Sequence, residues 1–279
     1  QTGPDSGRAG HDLTYLARSG VLGLNGPAGG APVPPPVQLA DLAAGTTAAL
    51  AVCAALVARG RTGEGRTIDV GILESVTAWM GFHLEACRAG ATAARGEMPL
   101  SGRYPFYNVY RTADGGHVAL GTLEPMFWRD FCRAVGRDDL IDRQLLGGDD
   151  RAALFAALED LFAARTTAEW DALFRAHDLS AEVVADLGAV LADPQLLARG
   201  ALFVLEHPEE GDLAQVGLPL GDRERLSRRL PPDLGADTRA VLAEVLDMDE
   251  PTIDNLLAAR VAFGPEVGVG HRIAPETLP

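Results

Sequence analysis

Apolar positions along this chain fall mostly at helical spacing, with one stretch of clear alternation in the middle. Pro4, Gly7 and Gly10 keep the first ten residues extended or turning. Asp12 is placed to cap a helix beginning at Leu13, with Tyr15, Leu16, Val21 and Leu22 as its apolar positions. Residues 25–36, NGPAGGAPVPPP, form neither helix nor central strand and are a loop. After Pro36 an Ala-rich helix is predicted over about 38–58. RTGEGRT (61–67) is a turn, and TIDV (67–70) a short strand-like entry into a helix across 71–88. A small, polar, Gly-containing stretch at 89–103 reads as a linker.

The strongest local signal is YPFYNVYRTADGGHVALG (104–121). Two β-rich runs flank Ala113-Asp114-Gly115-Gly116, which predicts a hairpin. Helices follow at about 124–136, 151–163, 167–176 and 194–198. Leu202 to Leu218 is expected to be extended, punctuated by His207-Pro208 and Gly211. Pro231-Pro232 opens a last helical region, 236–261, before a tail rich in Gly and Pro. The order is helices, hairpin, helices, extended segment, helices, which is a mixed α/β chain without regular βαβ alternation.

Composition narrows the function classes. The chain has 279 residues, 47% of them hydrophobic, enough for a sizeable core and against a disordered polyampholyte. A net charge of −15 argues against a nucleic-acid or anionic-membrane binder. All cationic residues are Arg, so Schiff-base and P-loop lysine chemistry are excluded. The uncharged run Leu42–Ala58 is shorter than the ~20 residues a bilayer needs and carries Gly45, Thr46 and Thr47, so a buried core helix is expected. The first residue is Gln1, with neither a basic nor an apolar leader region after it, and a longer parent protein of cytoplasmic location is expected. Cys53, Cys87 and Cys132 stand at no metal-ligand spacing and are read as buried free thiols. The six histidines show no HxxxH or HExxH pair, so no metal site is expected.

Three residues draw attention by their surroundings. His11 sits just before a helix start, where free backbone N–H groups point toward an anion. An imidazole there suits proton transfer beside an enolate oxygen, but taken alone His11 is better explained as a helix cap or as packing on the loop. Asp41 is the only charge in Val37–Ala58, which fits either a functional carboxylate or a helix-dipole partner. Glu124 follows a strand-like run and precedes Pro125, and taken alone it is a dipole-stabilising carboxylate.

Four blocks together resemble the family III CoA-transferases (CaiB/BaiF), and within them the α-methylacyl-CoA racemases. They are GRAGHDLTYLARSGVL (7–22), LADLAAGTTAALAVCAALVARGRTGEGRTIDVGILES (39–75), PFYNVYRTADGGHVALGTLEPMFW (105–128) and ADPQLLARG (192–200). The resemblance implies a family III CoA-transferase fold: a partial large domain (1–88), a linker (89–103), a smaller α+β domain (104–205), then a linker and C-terminal helices returning to the large domain (206–279). It implies His11 and Asp41 as catalytic acid/base groups, with Glu124 partnering the histidine. The backbone N–H of Asp12 falls where the family holds the thioester enolate oxygen. Arg8 and Arg18 are the cationic candidates for the CoA phosphates.

The implied reaction removes and returns the α-proton of a 2-methylacyl-CoA. CoA is carried as part of the substrate thioester, so no separate cofactor or metal is implied. The expected partners are the acyl-CoA and a second copy in an interlocked homodimer, with no nucleic acid or membrane. Within the same superfamily the rival reading is a CoA-transferase with Asp41 as nucleophile, but those enzymes typically carry Tyr rather than His in the GHD segment. A non-catalytic truncated remnant is the third reading, since family members carry a Rossmann-like region ahead of the first matched block. Ser180-Ala181-Glu182-Val183-Val184 departs from the family's Pro-containing stretch at that point.

Overall fold

The computed structural model describes residues 2–91, 93–207, 211–219 and 230–265. The chain divides into two compact units, residues 1–184 and 185–279. The first begins with helices α1 (Asp12–Ser19), α2 (Val21–Leu24), α3 (Leu39–Thr62), α4 (Ile72–Trp79) and α5 (Gly81–Arg88). Leu16, Ala40, Ala43 and Val76 form a small buried core among α1, α3 and α4. Two alanines at that crossing let the helix backbones approach closely.

Only the start of α3 is buried there. Beyond Ala43 the half-buried residues are Ala44, Ala48, Ala51, Ala55 and Ala58, a stripe at spacings of three and four along one face. The large residues point away: Leu50 is 70% and Val57 67% exposed. The core helix expected here is therefore mostly uncovered in this chain. Its length also differs from expectation. At 24 residues it is, by length and composition, the one helix among those described that is long and apolar enough to cross a membrane. Cys53 on α3 and Cys87 on α5 are exposed, against the expectation of buried thiols. Cys132 is buried, which pushes its thiol up to about 12, with Asp139 and Asp138 adding to the effect. The stretch 67–70 pairs with no strand among the described residues.

The remainder of this unit is an α+β assembly around the predicted hairpin. Strands β1 (Tyr107–Arg111) and β2 (His117–Gly121) pair antiparallel, Val109 opposite Ala119. A third strand, β3 (Ala181–Val183), pairs with β2, Ala119 opposite Glu182. It contains no proline, so each residue keeps the N–H a ladder needs. Helices α6 (Pro125–Ala134), α7 (Gly148–Ala163) and α8 (Thr167–His177), with a 3-10 turn at Asp138–Arg143, cover the sheet. Phe106, Trp128, Phe131, Phe162, Trp170 and Phe174 make a continuous aromatic core. Each indole also serves a helix or turn end. Trp128 Nε1 donates to the carbonyls of Leu140 and Ile141, both at 3.1 Å, and Trp170 Nε1 to that of Phe162 at 3.0 Å.

The hairpin turn is tied to α8 by one carboxylate. Asp114 accepts from the Thr112 hydroxyl at 2.6 Å, the Thr167 hydroxyl at 2.8 Å and the Thr167 N–H at 3.1 Å. Gly116 is required by this approach, since a Cβ there would stand 2.4 Å from Thr167 Oγ1. These hydrogen bonds, the Thr112 hydroxyl first and then Thr167, hold the Asp114 carboxyl far below the usual carboxylate range. A group whose proton affinity is depressed on folding stabilises the fold above its unfolded pKa of about 3.9 and loses that contribution as pH falls further. Asp114→Ala is thus expected to lower the urea midpoint at pH 7. The gap from the unsubstituted protein should narrow below about pH 4, whereas a gap independent of pH would contradict this role.

In the second unit, α9 (Leu187–Leu191) and α10 (Pro194–Ala198) precede an antiparallel pair, β4 (Leu202–His207) and β5 (Gly211–Val216). The extended segment predicted over 202–218 is this pair; Pro208 lies outside the described residues. Asp186 and Asp193 cap the two short helices through the N–H groups of Ala189 and Leu196. The final helical region resolves into α11 (Thr238–Ala240), a π turn at Val241–Val245 and α12 (Glu250–Ala258). Arg239 ties it together by pairing with Glu250 and with Asp254.

Candidate active site

The first helix begins one residue earlier than the sequence predicts, and the reason matters for the site. His11, not Asp12, is its N-cap residue, in extended conformation with φ −128° and ψ 169°. The Thr14 hydroxyl closes this turn, accepting from the His11 N–H at 3.0 Å and donating to the His11 carbonyl at 2.8 Å. Asp12 is left to act elsewhere. Its Oδ1 accepts the N–H of Ala40 at 2.7 Å and that of Asp41 at 3.3 Å. One carboxylate from the start of α1 thereby caps the start of α3, where backbone N–H groups lack helical partners.

This cross-cap brings three of the expected residues together. His11 adjoins the capping Asp12, and Asp41 is one of the two residues whose N–H it binds. His11 and Asp41 are both exposed, at the beginnings of two neighbouring helices. No hydrogen bond among the described residues takes the N–H of Asp12 or Leu13, so the first turn of α1 offers two donors beside the imidazole. The described contacts place the backbone of Asp41, through its N–H on Asp12, next to the helix start that carries His11.

Glu124 is held on a separate part of the same unit. It is the N-cap residue of α6, exposed, with Pro125 in the first turn. The segment before it is firmly fixed. Buried Gln144 donates through Nε2 to the carbonyls of Thr122 and Leu123, each at 3.0 Å, and the Thr122 hydroxyl donates to the Phe106 carbonyl at 3.1 Å. No described contact joins Glu124 to His11 or Asp41. Gln144 had no sequence signal beyond being a polar residue ahead of a Gly pair; only its burial shows its part.

Arg8 and Arg18 do share a feature. Both line a cavity of about 510 Å³, together with Thr14, Tyr15, Ile72 and Glu74. Asp5 holds both guanidinium groups, Arg18 at 2.9 Å and Arg8 at 3.6 Å. Part of their charge is therefore already met by a carboxylate, and His11 is not among the lining residues.

Comparison with known proteins places this chain in a family. The model of CoA-transferase family III matches residues 1–238. The chain is 31% identical over 268 residues to human succinyl-CoA:glutarate CoA-transferase, covering 94% of this chain and 61% of that protein. It is 33% identical over 247 residues to human alpha-methylacyl-CoA racemase, covering 88% of this chain and 64% of that protein. It thus spans 61% and 64% of the length of these two curated relatives. In fold it is similar to a CAIB/BAIF family protein from Brucella suis, with a TM-score of 0.69, 23% identity and coverage of 88% of this chain and 65% of that one. On the match to the family model over most of its length, this chain belongs to CoA-transferase family III.

Proposed function

We propose that this chain carries the catalytic His and Asp of an acyl-CoA racemase, which inverts the α-carbon of 2-methylacyl-CoA thioesters. The observation that carries the reading is the Asp12 cross-cap, which sets His11 and Asp41 on adjoining helix starts. In one direction His11 takes the α-proton and Asp41, protonated, returns one to the opposite face; in the other direction the roles exchange. Between the two steps the negative charge lies on the thioester oxygen. The unengaged N–H of Asp12, at the positive end of α1, is suited to receive it. Glu124 would complete the site from a second copy of the chain in a homodimer, fixing the tautomer of the imidazole. The cavity beside Arg8 and Arg18 is offered as a place for CoA phosphate. A cytoplasmic protein acting on soluble acyl-CoA fits this reading.

A second reading is favoured by the 31% identity to a succinyl-CoA:glutarate CoA-transferase over 94% of the chain. There Asp41 would attack the thioester carbonyl, giving an acyl–aspartyl anhydride and CoA thiolate; the thiolate would attack the aspartyl carbonyl, releasing the donor carboxylate and leaving an aspartyl-CoA thioester. An acceptor carboxylate would displace the CoA to form a second anhydride, and attack of the thiolate on the acceptor's carbonyl would give the new acyl-CoA and free Asp41. The two readings part at His11, which the anhydride route does not need. The test is to give the full-length protein one enantiomer of a 2-methylacyl-CoA and follow the other by chiral chromatography. Progress to an equal mixture supports the racemase. Retention of configuration with CoA transfer to an added carboxylate supports the transferase.

A further inference from the structure

The loop between α2 and α3 determines where α3 starts, and its composition leaves it poorly equipped to hold itself. Residues 25–36 contain Pro27, Pro32, Pro34, Pro35 and Pro36, none of which has an N–H to donate. Its internal ties are few. The Val33 N–H donates to the Asn25 carbonyl at 3.2 Å, Asn25 Nδ2 to the Val33 carbonyl at 2.5 Å, and the Gly30 N–H to the Pro27 carbonyl at 3.0 Å. The loop's remaining carbonyls need donors from outside.

For one of them, that of Gly30, a single side chain supplies two donors. Arg95, in the stretch after α5, donates through Nη1 to the Gly23 carbonyl at 2.5 Å. Its Nη2 and Nε both reach the Gly30 carbonyl, at 2.8 and 3.2 Å. Gly23 lies in the last turn of α2, where the carbonyl has no helical donor, so the same guanidinium closes that helix and grips the loop seven residues on. The contact is close on the backbone side as well. A Cβ on Gly96 would stand 2.6 Å from the Ala28 Cβ, so the two segments touch only because residue 96 has no side chain. Met98, two residues further, is fully buried and anchors the stretch that carries Arg95.

We propose that Arg95 is a positioning residue, holding the proline-rich loop so that α3 begins with Asp41 beside His11. The position of α3 then rests on the small core that buries Ala40 and Ala43, on the Asp12 carboxylate at its first turn, and on the Arg95 fork on the loop that feeds it. The planar fork is what the arrangement needs, because one lysine ammonium cannot span both carbonyls. Arg95 itself touches neither His11 nor Asp41 in any described contact, so its effect is on where Asp41 lies.

This inference rests on the catalytic placing of Asp41, and the experiment separates the two. Arg95→Ala and Arg95→Lys are made in the full-length protein, and kcat and KM are measured for α-proton exchange of a 2-methylacyl-CoA, alongside the thermal unfolding midpoint. A displacement of about 1 Å in a reacting group can cost up to about 100-fold. The expected result is a fall in kcat of about 10-fold or more for both variants, with KM changed by less than about 3-fold, and partial recovery of Arg95→Ala by added guanidinium salt. Arg95→Lys, which keeps the charge, guards against a failure of Arg95→Ala to fold. An unchanged kcat per folded molecule with a lowered midpoint would overturn the proposal, leaving Arg95 a stabilising contact only. If the unsubstituted protein transfers CoA without exchanging the proton, the racemase reading fails while Arg95 is judged by the transfer rate, since Asp41 acts in both reactions. A protein with neither activity would overturn both.

Discussion

His11→Ala in the full-length protein is expected to slow α-proton exchange of a 2-methylacyl-CoA by about 10²–10⁴-fold, the usual contribution of a positioned acid/base group. Asp41→Asn should slow inversion by a similar factor, because inversion needs a base on one face of the carbon and an acid on the other. Neither substitution should unfold the protein. Both side chains are exposed, and the expected cost is no more than about 0.5 kcal/mol at Asp41 and about 0.5–2 kcal/mol at the N-cap position His11. Asn at position 41 also leaves the backbone N–H that Asp12 binds in place. The pair of variants discriminates between the two chemistries. If Asp41 is a nucleophile in a CoA transfer, Asp41→Asn abolishes activity while His11→Ala leaves it largely intact. If both are proton-transfer groups, both lose activity. Circular dichroism and the unfolding midpoint, measured on the same samples, separate a lost group from a lost fold.

The largest expected effect on stability is at Trp170. Its side chain is fully buried, its ring stands 4.9 Å from that of Phe162 and 5.6 Å from that of Phe174, and the Arg165 guanidinium lies 4.8 Å above it. Trp170→Ala removes this packing and leaves a cavity, at a cost of about 3–5 kcal/mol. It also removes the donor to the Phe162 carbonyl in the last turn of α7. Trp170→Phe keeps most of the volume and loses that hydrogen bond, so it should fall between the two. Urea unfolding checks the order: the midpoint should drop least for Phe and most for Ala, with similar slopes. Equal midpoints for Ala and the unsubstituted protein would contradict the account of this core.

How much of this was legible in the sequence depends on how far each feature reaches along the chain. The hairpin was legible because Asp114-Gly115-Gly116 fixes a turn by local chemistry, and Gly115 does adopt φ +85°. The helix at Pro194 was legible for a similar reason, with Asp193 capping it and Pro194 in its first turn. Strand β3 was not, since three residues are too few to show a period of two. The exposure of α3 was hidden because a run of alanine, leucine and valine looks the same whether or not something covers it. At the site, the types of His11 and Asp41 and their nearness to helix starts were readable, and each had an ordinary alternative explanation. What brings the starts of their two helices together is the reach of the Asp12 side chain to Ala40, 28 residues away, and local pattern carries no trace of such a contact. Arg95 and Gln144 were invisible for the same reason: both act through carbonyls, and any residue has a carbonyl.

The most direct test of the racemase reading is proton NMR of a 2-methylacyl-CoA in D2O with the full-length protein. The predicted result is loss of the α-proton signal as deuterium enters, at the same time as the single enantiomer supplied becomes a mixture. An α-proton that stays in place while CoA moves to a free carboxylate would contradict it.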